Sequence, residues 1–354
     1  MSHSVAIPNV TGTYSFKSCQ HPIFIIGIKP RSGTNYLNNL LLTHPDVRSP
    51  GIVWEDYFLR HADLLAEYAQ HTQISWKDKW ATQLQTALGN DAMLRHLGDG
   101  LIRLMEEQYR HCVTSGSQRP PSENTPVALV TATPNTRNLS YFPSLFPAAA
   151  TLLIVRDGRA TVESGVQSFG WDYEDAIRSW VISGQRILDF CARQEYANRH
   201  LLLHYETLFQ HTRSEMRRVF DFLALDCSRY DFSTCDTLGV MGSSELVQSG
   251  TGKLHWSYVD THSDFNPLAR AAHWPKPLNR RFAYLAGRTM TALGYDISEP
   301  QTNQNNEQDY KWNIALDVLY VLEIKLRRHF PAASRLIRRT RNRLLHVPSS
   351  KQPD

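Results

Sequence analysis

Four short runs of this sequence are apolar without interruption: Pro22–Ile28 (PIFIIGI), Val127–Thr131 (VALVT), Thr151–Val155 (TLLIV) and His200–His204 (HLLLH). None alternates polar with apolar residues. A strand with one wet face alternates, so continuous apolar strands of this length need cover on both faces, as in a parallel sheet between helices. The stretches between the runs carry helical spacing. Tyr36, Leu37, Leu40 and Leu41 make one stripe. Trp76, Trp80, Leu84 and Leu88 make a second, entered through Ser75 with Asp78 three residues on, a capping-box arrangement. Ile177, Val181, Gly184, Ile187 and Leu188 make a third, and Phe220 with Leu223 belongs to a fourth. Strands alternating with helices define the expected fold class: α/β, three layers, with a central, mainly parallel β-sheet flanked by helices.

The length of 354 residues fits one large domain or two ordinary ones. With 42% hydrophobic and 20% charged residues the chain is not mainly disordered, collagenous or coiled coil. Its formal charge of +4 argues against a dedicated nucleic-acid binder. That charge is unevenly placed. From Tyr310 onward there are ten Lys or Arg against three Asp or Glu, leaving 28 against 31 in the rest. The polar tract Gln301–Asp309 sits where the sign changes. The expected organisation is an N-terminal extension (1–20), a main domain (21–300), a polar linker (301–310) and a basic helical C-terminal appendage (311–354). Five widely spaced cysteines, without CxxC or Cys/His metal spacing, fit free thiols in a reducing compartment. The first 20 residues lack a signal-peptide pattern. The longest apolar stretches, Leu145–Val155 and Ile314–Ile324, are far short of the ~18 residues of a span and read as core segments. The expected location is the cytoplasm. Oligomeric state is not encoded in any readable pattern.

After the first apolar run comes Lys29–Leu37 (KPRSGTNYL), then a helix. A strand, a glycine-containing loop and a helix N-terminus form an anion cradle, because backbone N–H groups and the helix dipole point at one spot. Arg31 adds a fork of donors; Ser32, Thr34 and Asn35 add short polar groups. Against the nucleotide P-loop GxxxxGK[ST], counted from Gly27, Ser32 stands at the second glycine and Gly33 at the lysine; only Thr34 fits. The loop is P-loop-like without its lysine. A plain strand–helix turn is the competing reading of the loop alone. The run Thr151–Val155 leads into RDGRATVESG (Arg156–Gly165). Arg156 then stands at the carboxyl end of a buried strand, where open α/β sheets bind ligands. Asp157 is placed to cap the next helix, and Ser164 lies about two turns along it. Arg156 and Ser164 are thus placed to grip one phosphate, with an ordinary surface ion pair as the alternative.

Taken together, PRSGTN (Pro30–Asn35) and Arg156-x7-Ser164 resemble the two donor-binding motifs of the sulfotransferases that use 3′-phosphoadenosine 5′-phosphosulfate. HPDVR (His44–Arg48), the stretch Thr133–Ser164, LLLHYETL (Leu201–Leu208) and LGYD (Leu293–Asp296) extend the resemblance over about residues 20–300. The wording is nearest to bacterial and tyrosylprotein types. The resemblance implies that Lys29, Arg31, Ser32, Gly33, Thr34 and Asn35 surround the 5′-phosphosulfate. It implies that Arg156 and Ser164 hold the 3′-phosphate and that Tyr205 lies near the adenosine. It also offers Lys253, in GTGKLHW (Gly250–Trp256), as a basic residue closing over the donor. No metal is implied.

Two departures stand out. The lysine of the family's KTP element is Ala132 here, so Lys29, Arg137 or Lys253 would have to supply that positive charge. The catalytic carboxylate that tyrosylprotein types carry soon after HPDVR is displaced, and the first acids are Glu55 and Asp56. Sulfonate transfer is an in-line displacement that depends on positioning and positive electrostatics. Arg31 would stabilise the leaving phosphate. Glu55, with Asp56 behind it, would take the proton of a hydroxyl acceptor, a glycan, lipid or metabolite. A helix N-terminal carboxylate is the competing role for Glu55. A P-loop-type kinase and a non-catalytic donor-binding protein remain as alternatives, the second because of Ala132. In the tail, Ile314, Val318, Val321 and Leu322 form a stripe, and eight Lys or Arg with no acid lie between Lys325 and Arg343. Such a segment either meets an anionic membrane or an acidic acceptor, or folds its stripe back on the domain.

Overall fold

The computed structural model describes residues 22–51, 59–74, 76–89, 91–118, 127–238, 241–242, 257–258, 270–295 and 307–347. Five parallel strands form the central sheet: β1 (Ile23–Gly27), β2 (Val47–Arg48), β3 (Ala128–Thr133), β4 (Ala150–Val155) and β5 (His200–His204). Their order is β2-β3-β1-β4-β5. Side chains of β1 point alternately to two cores. Phe24 and Ile26 join Leu153, Val155 and Trp180 on one face. Ile23 and Ile25 join Val130, Leu152, Leu37 and Phe220 on the other. Both faces are dry, which is why the strands read as unbroken apolar runs. A short antiparallel pair, β6 (Met241–Gly242) with β7 (Ser257–Tyr258), lies outside this sheet.

The helices are α1 (Thr34–Leu42), α2 (Ala62–Ile74), α3 (Asp78–Leu88), α4 (Ala92–Thr114), α5 (Phe142–Leu145), α6 (Gly158–Phe169) and α7 (Tyr173–Cys191). They continue as α8 (Tyr205–Gln210), α9 (Thr212–Leu223), α10 (Thr234–Thr237), α11 (Lys276–Ala292), α12 (Glu307–Arg327) and α13 (Pro331–Leu344). From α1 the apolar Leu37, Leu40 and Leu41, and from α9 Met216, Val219 and Phe220, cover one face. From α7 Ile177, Trp180 and Ile187, and from α11 Phe282, Ala286 and Met290, cover the other. The chain runs from β1 to β2 and β3 on one side, then returns past β1 to β4 and β5. The strand order therefore reverses beside β1, and a crevice forms outside its carboxyl end.

Three local expectations need correction. Helix α3 starts at Asp78 with Lys77 as its cap and without a side-chain cap bond, so Asp78 is its first residue and not the third of a capping box; Ser75 lies outside the described residues. Strand β3 runs two residues past its apolar run, through Ala132 and Thr133. Ala132 is only 1% exposed and packs in the cluster beneath α1, so the position of the family's KTP lysine is a core position here. The third correction concerns Ile314–Ile324. Ile314, Val318, Val321, Leu322 and Ile324 are all exposed. It is the polar side of α12 that meets the body.

That contact is ionic. Arg281 on α11 is fully buried and donates to Glu174 Oε1 at 2.6 Å, to Asp317 Oδ1 at 2.5 Å and to Asn313 Oδ1 at 3.1 Å. Arg341 on α13 donates to Asp172 Oδ1 at 2.6 Å and to Glu323 Oε2 at 2.5 Å. Tyr320 donates to Asp175 at 2.8 Å. Leu316, Leu345 and Val347 add apolar contact to the main core. Helix α12 and the basic helix α13 thus pack on α7 and α11. No described helix is long and apolar enough to cross a membrane.

Candidate active site

The loop after β1 folds tightly against its own strand. Ser32 is fully buried, and its Oγ donates to the Lys29 carbonyl at 2.7 Å. Ile28 N donates to the Ile154 carbonyl at 3.0 Å, tying the loop to β4. Gly33 caps α1 with φ +97°, and Leu37 N donates back to its carbonyl at 3.1 Å. A Cβ on Gly33 would stand 2.2 Å from Cδ2 of Tyr205, so only glycine fits there. Thr34 and Asn35 occupy the first turn of α1, where N–H groups are unpaired within the helix.

Arg31 also has a left-handed backbone, at φ +74°. For a non-glycine residue this costs on the order of 1–3 kcal/mol, and such residues cluster at ligand clamps. Two partners hold it. The Arg31 carbonyl accepts from Arg156 Nη1 at 2.8 Å, and Arg31 Nε donates to Ser164 Oγ at 3.1 Å. The two motifs recognised separately in the sequence are therefore one site, because β1 and β4 are neighbours and α6 follows β4. Asp157 caps α6, accepting from Arg159 N at 2.7 Å. Its own N–H donates to Glu206 Oε1 at 2.9 Å, and Glu206 also accepts from Tyr295 at 3.0 Å.

Tyr205 follows β5 and is 2% exposed, lying against Gly33. Arg156, itself 5% exposed, places its guanidinium 4.6 Å from the centre of the Tyr205 ring. Burial pushes the Tyr205 hydroxyl up to about 12, with Arg156 opposing the shift.

A third guanidinium joins Arg31 and Arg156: that of Arg270, which sequence reading missed. Burial lowers the Arg31 pKa to about 10, and repulsion from Arg270 and Arg156 adds to it. Arg270 is lowered by burial and then by Arg156. Like charges held together in a partly buried site lose free energy that an anion between them would restore. Arg270 is held by its surroundings: its Nη1 donates to Gln167 at 3.2 Å. Next to it, Trp274 Nε1 donates to the buried Glu163 at 2.7 Å, and His273 Nε2 is 3.2 Å from the same carboxylate. Tyr173 and Gln167 also donate to Glu163, at 2.8 and 2.7 Å. Glu163 precedes Ser164, so one carboxylate fixes both the α6 wall and the Arg270 segment.

Lys29 occupies the opposite side of the loop. Its Nζ donates to Ser179 Oγ and lies 4.7 Å from the centre of the Trp171 ring. Burial pushes its ammonium down to about 8, against an upward pull from Asp175. Lys29 lines a cavity of about 540 Å³ with Thr133, Pro134, Arg60, Arg137 and Arg186. Arg137 is paired there with Asp63 at 2.9 Å. The carboxyl end of β3, the place of the family's KTP element, thus borders the same cavity as Lys29. Glu55, Asp56 and Lys253 lie outside the described residues.

A five-stranded parallel α/β sheet with a glycine-capped, P-loop-like anion cradle at the strand-order reversal defines the class of protein. The sequence profile of the sulfotransferase family matches residues 22–229, and the chain belongs to that family. Among curated relatives, protein-tyrosine sulfotransferase A of Caenorhabditis elegans is 27% identical over 213 residues, 57% of this chain and 50% of the relative. Protein-tyrosine sulfotransferase 1 of Danio rerio is 27% identical over 57% of this chain and 53% of its own. Protein-tyrosine sulfotransferase 2 of Gallus gallus is 27% identical over 82% of this chain and 72% of its own. The chain thus spans about half the length of the first two. Among solved structures, the sulfotransferase domain of the Synechococcus PCC 7002 olefin synthase gives a TM-score of 0.45 at 21% identity, over 81% of this chain and 98% of that domain. The sulfotransferase domain from the curacin biosynthetic pathway gives 0.43 at 19%, over 79% and 99%.

Proposed function

We propose that this chain transfers the sulfonate of 3′-phosphoadenosine 5′-phosphosulfate to a hydroxyl acceptor. The observation that carries the reading is the contact of the two anion motifs through Arg31, with Arg270 beside them. In this assignment the loop N–H groups from Ser32 to Asn35 and the Arg31 guanidinium hold the 5′-phosphosulfate. Arg156 and Ser164, joined by Arg270, hold the 3′-phosphate. The donor's two anionic ends suit a site whose three guanidiniums repel one another when empty of anion.

The transfer needs little covalent work from the protein. Negative charge grows on the oxygen that bridges sulfur and the 5′-phosphate, and Arg31 with the α1 N-terminus offsets it there. Lys29 supplies the cation on the acceptor side, in place of the lysine missing at Ala132. The cavity it shares with Thr133 and Arg186 takes the acceptor hydroxyl. Glu55, backed by Asp56, removes the hydroxyl proton; Arg60, five residues after Glu55, already lines that cavity. Glu55→Gln is expected to leave donor affinity unchanged and to lower turnover by ~10²–10⁴-fold. Unchanged turnover would remove Glu55 from the role.

Thermal unfolding tests the assignment without a known acceptor. A ligand at 100 times its Kd adds about 2.7 kcal/mol to stability. 3′,5′-Bisphosphoadenosine is expected to give a shift of that size at concentrations where ATP gives none. An equal shift with ATP would favour a nucleotide kinase, the reading weakened by the loop's missing lysine.

A further inference from the structure

Helix α12 is turned inside out relative to its sequence. Its buried side carries Asn313, Leu316 and Glu323, with Asp317 and Tyr320 beside them in contacts to the body. Its outward side carries Ile314, Val318 and Val321, the last two 53% and 48% exposed. These positions recur every three or four residues and make one continuous stripe along the helix. Lys325 and Arg328 are exposed along the same side, and Lys311 is paired there with the exposed Glu307 at 2.6 Å.

Helix α13 packs antiparallel beside it and repeats the arrangement. Its inward Arg341 reaches Asp172 and Glu323, while Ser334 is buried. Its outward side carries Leu336, 66% exposed, with Arg339 and Arg343, while Arg335 lines a cavity against the body with Lys29 and Trp171. Of the eight cations between Lys325 and Arg343, three pair with Glu323: Arg341, buried, at 2.5 Å, Arg338, half-buried, at 2.8 Å, and the exposed Arg327 at 2.9 Å. The other five are exposed, and no acid occurs in that interval. Both helices are fixed to the body by their polar sides, which leaves each with an outward surface of aliphatic and basic side chains.

We propose that this surface docks the protein on an anionic membrane. Charge complementarity alone would also suit a nucleic acid or an acidic protein. What selects the membrane is the interleaving of aliphatic and basic side chains on one face. The cations meet lipid headgroups while Ile314, Val318, Val321 and Leu336 enter the acyl boundary, as interfacial helices do. A purely polyanionic partner would leave that stripe in water. The docking is peripheral and independent of the reaction the chain catalyses.

The test is sedimentation of the full-length protein with vesicles of phosphatidylcholine, with and without phosphatidylglycerol, at low salt. Binding is expected only to the anionic vesicles and should weaken as salt is raised. Each basic residue near such a surface contributes about fivefold to partition, so Arg339→Gln/Arg343→Gln is expected to weaken it roughly 25-fold. Val318→Asp/Val321→Asp, at exposed positions that leave the fold's near-ultraviolet circular dichroism unchanged, is expected to abolish it. Absence of binding to anionic vesicles, or equal binding to neutral ones, overturns the proposal. So does full binding by the Val318/Val321 variant, which would mark the surface as an electrostatic seat for an acidic polymer.

Discussion

The substitution Gly33→Ala tests the geometry of the loop after β1 most sharply. Two separate costs are written into the structure. At φ +97° an added Cβ brings left-handed strain, on the order of 1–2 kcal/mol. The same Cβ would stand 2.2 Å from Tyr205 Cδ2 and 2.8 Å from Cε2. That ring is 2% exposed and is covered by the Arg156 guanidinium, so it has little room to move. Overpacking of this kind costs typically 1–3 kcal/mol. The total is about 2–5 kcal/mol, a large part of the stability of an ordinary domain. Gly116→Ala is the internal control: its φ is +74°, yet nothing lies within 4 Å of its added Cβ, so it bears only the strain. Urea unfolding of both variants should show Gly33→Ala less stable by about 1–3 kcal/mol than Gly116→Ala. Equal losses would refute the reasoning, because they would mean that Tyr205 does not rest on the loop. Gly33→Ala should also weaken 3′,5′-bisphosphoadenosine binding, which Gly116→Ala should leave intact.

Other outcomes follow from the same contacts. Lys29 has a folded pKa of about 8 against 10.5 when unfolded, so its burial penalises the charged form. The stability it withholds, roughly 3 kcal/mol, is fully present above 10.5 and lost as pH falls through 8. Chemical unfolding near these two pH values should show that gain in the native protein and not in Lys29→Met. Arg270→Ala should weaken 3′,5′-bisphosphoadenosine binding about 10- to 100-fold, measured by calorimetry, through loss of one charge-assisted contact. Glu163→Gln should lower stability by about 1.5–3 kcal/mol and weaken the same ligand with Ser164 and Arg270 both present, since it loosens the 270–274 segment. Arg341→Met leaves Asp172 and Glu323 without their shared cation and should cost about 3–5 kcal/mol in urea unfolding.

Much of this site was legible in the residues. Apolar runs located β1, β3, β4 and β5 because a doubly covered strand has no alternation to obscure it. The loop from Lys29 to Asn35 and the Arg156–Ser164 pair were readable because each is local, a strand end followed by a helix start. Their contact was not readable, since Arg31 and Ser164 are 133 positions apart and meet only because β4 lies beside β1. Arg270 had no signal of its own: a lone arginine gains meaning only when Glu163 draws its segment against α6. Helix α12 misled the reading for a related reason. Its aliphatic stripe looked like core, but the partners of its polar side, Arg281 and Asp175, come from distant parts of the chain. Arg178 also reaches Asp317 from α7, 139 positions away. Buried ion pairs of this kind leave no periodic mark in a sequence.

Arg156 is the point on which the account turns, because it joins the loop to the strand end and would distinguish a 3′-phosphate. The most direct measurement is the affinity of 3′,5′-bisphosphoadenosine relative to ATP, by calorimetry, for the native protein and for Arg156→Met. The native protein should prefer the bisphosphate, and Arg156→Met should lower that preference by about 10- to 100-fold while ATP affinity stays nearly unchanged. A native protein that binds ATP as well as the bisphosphate, or a variant that keeps the full preference, would contradict it.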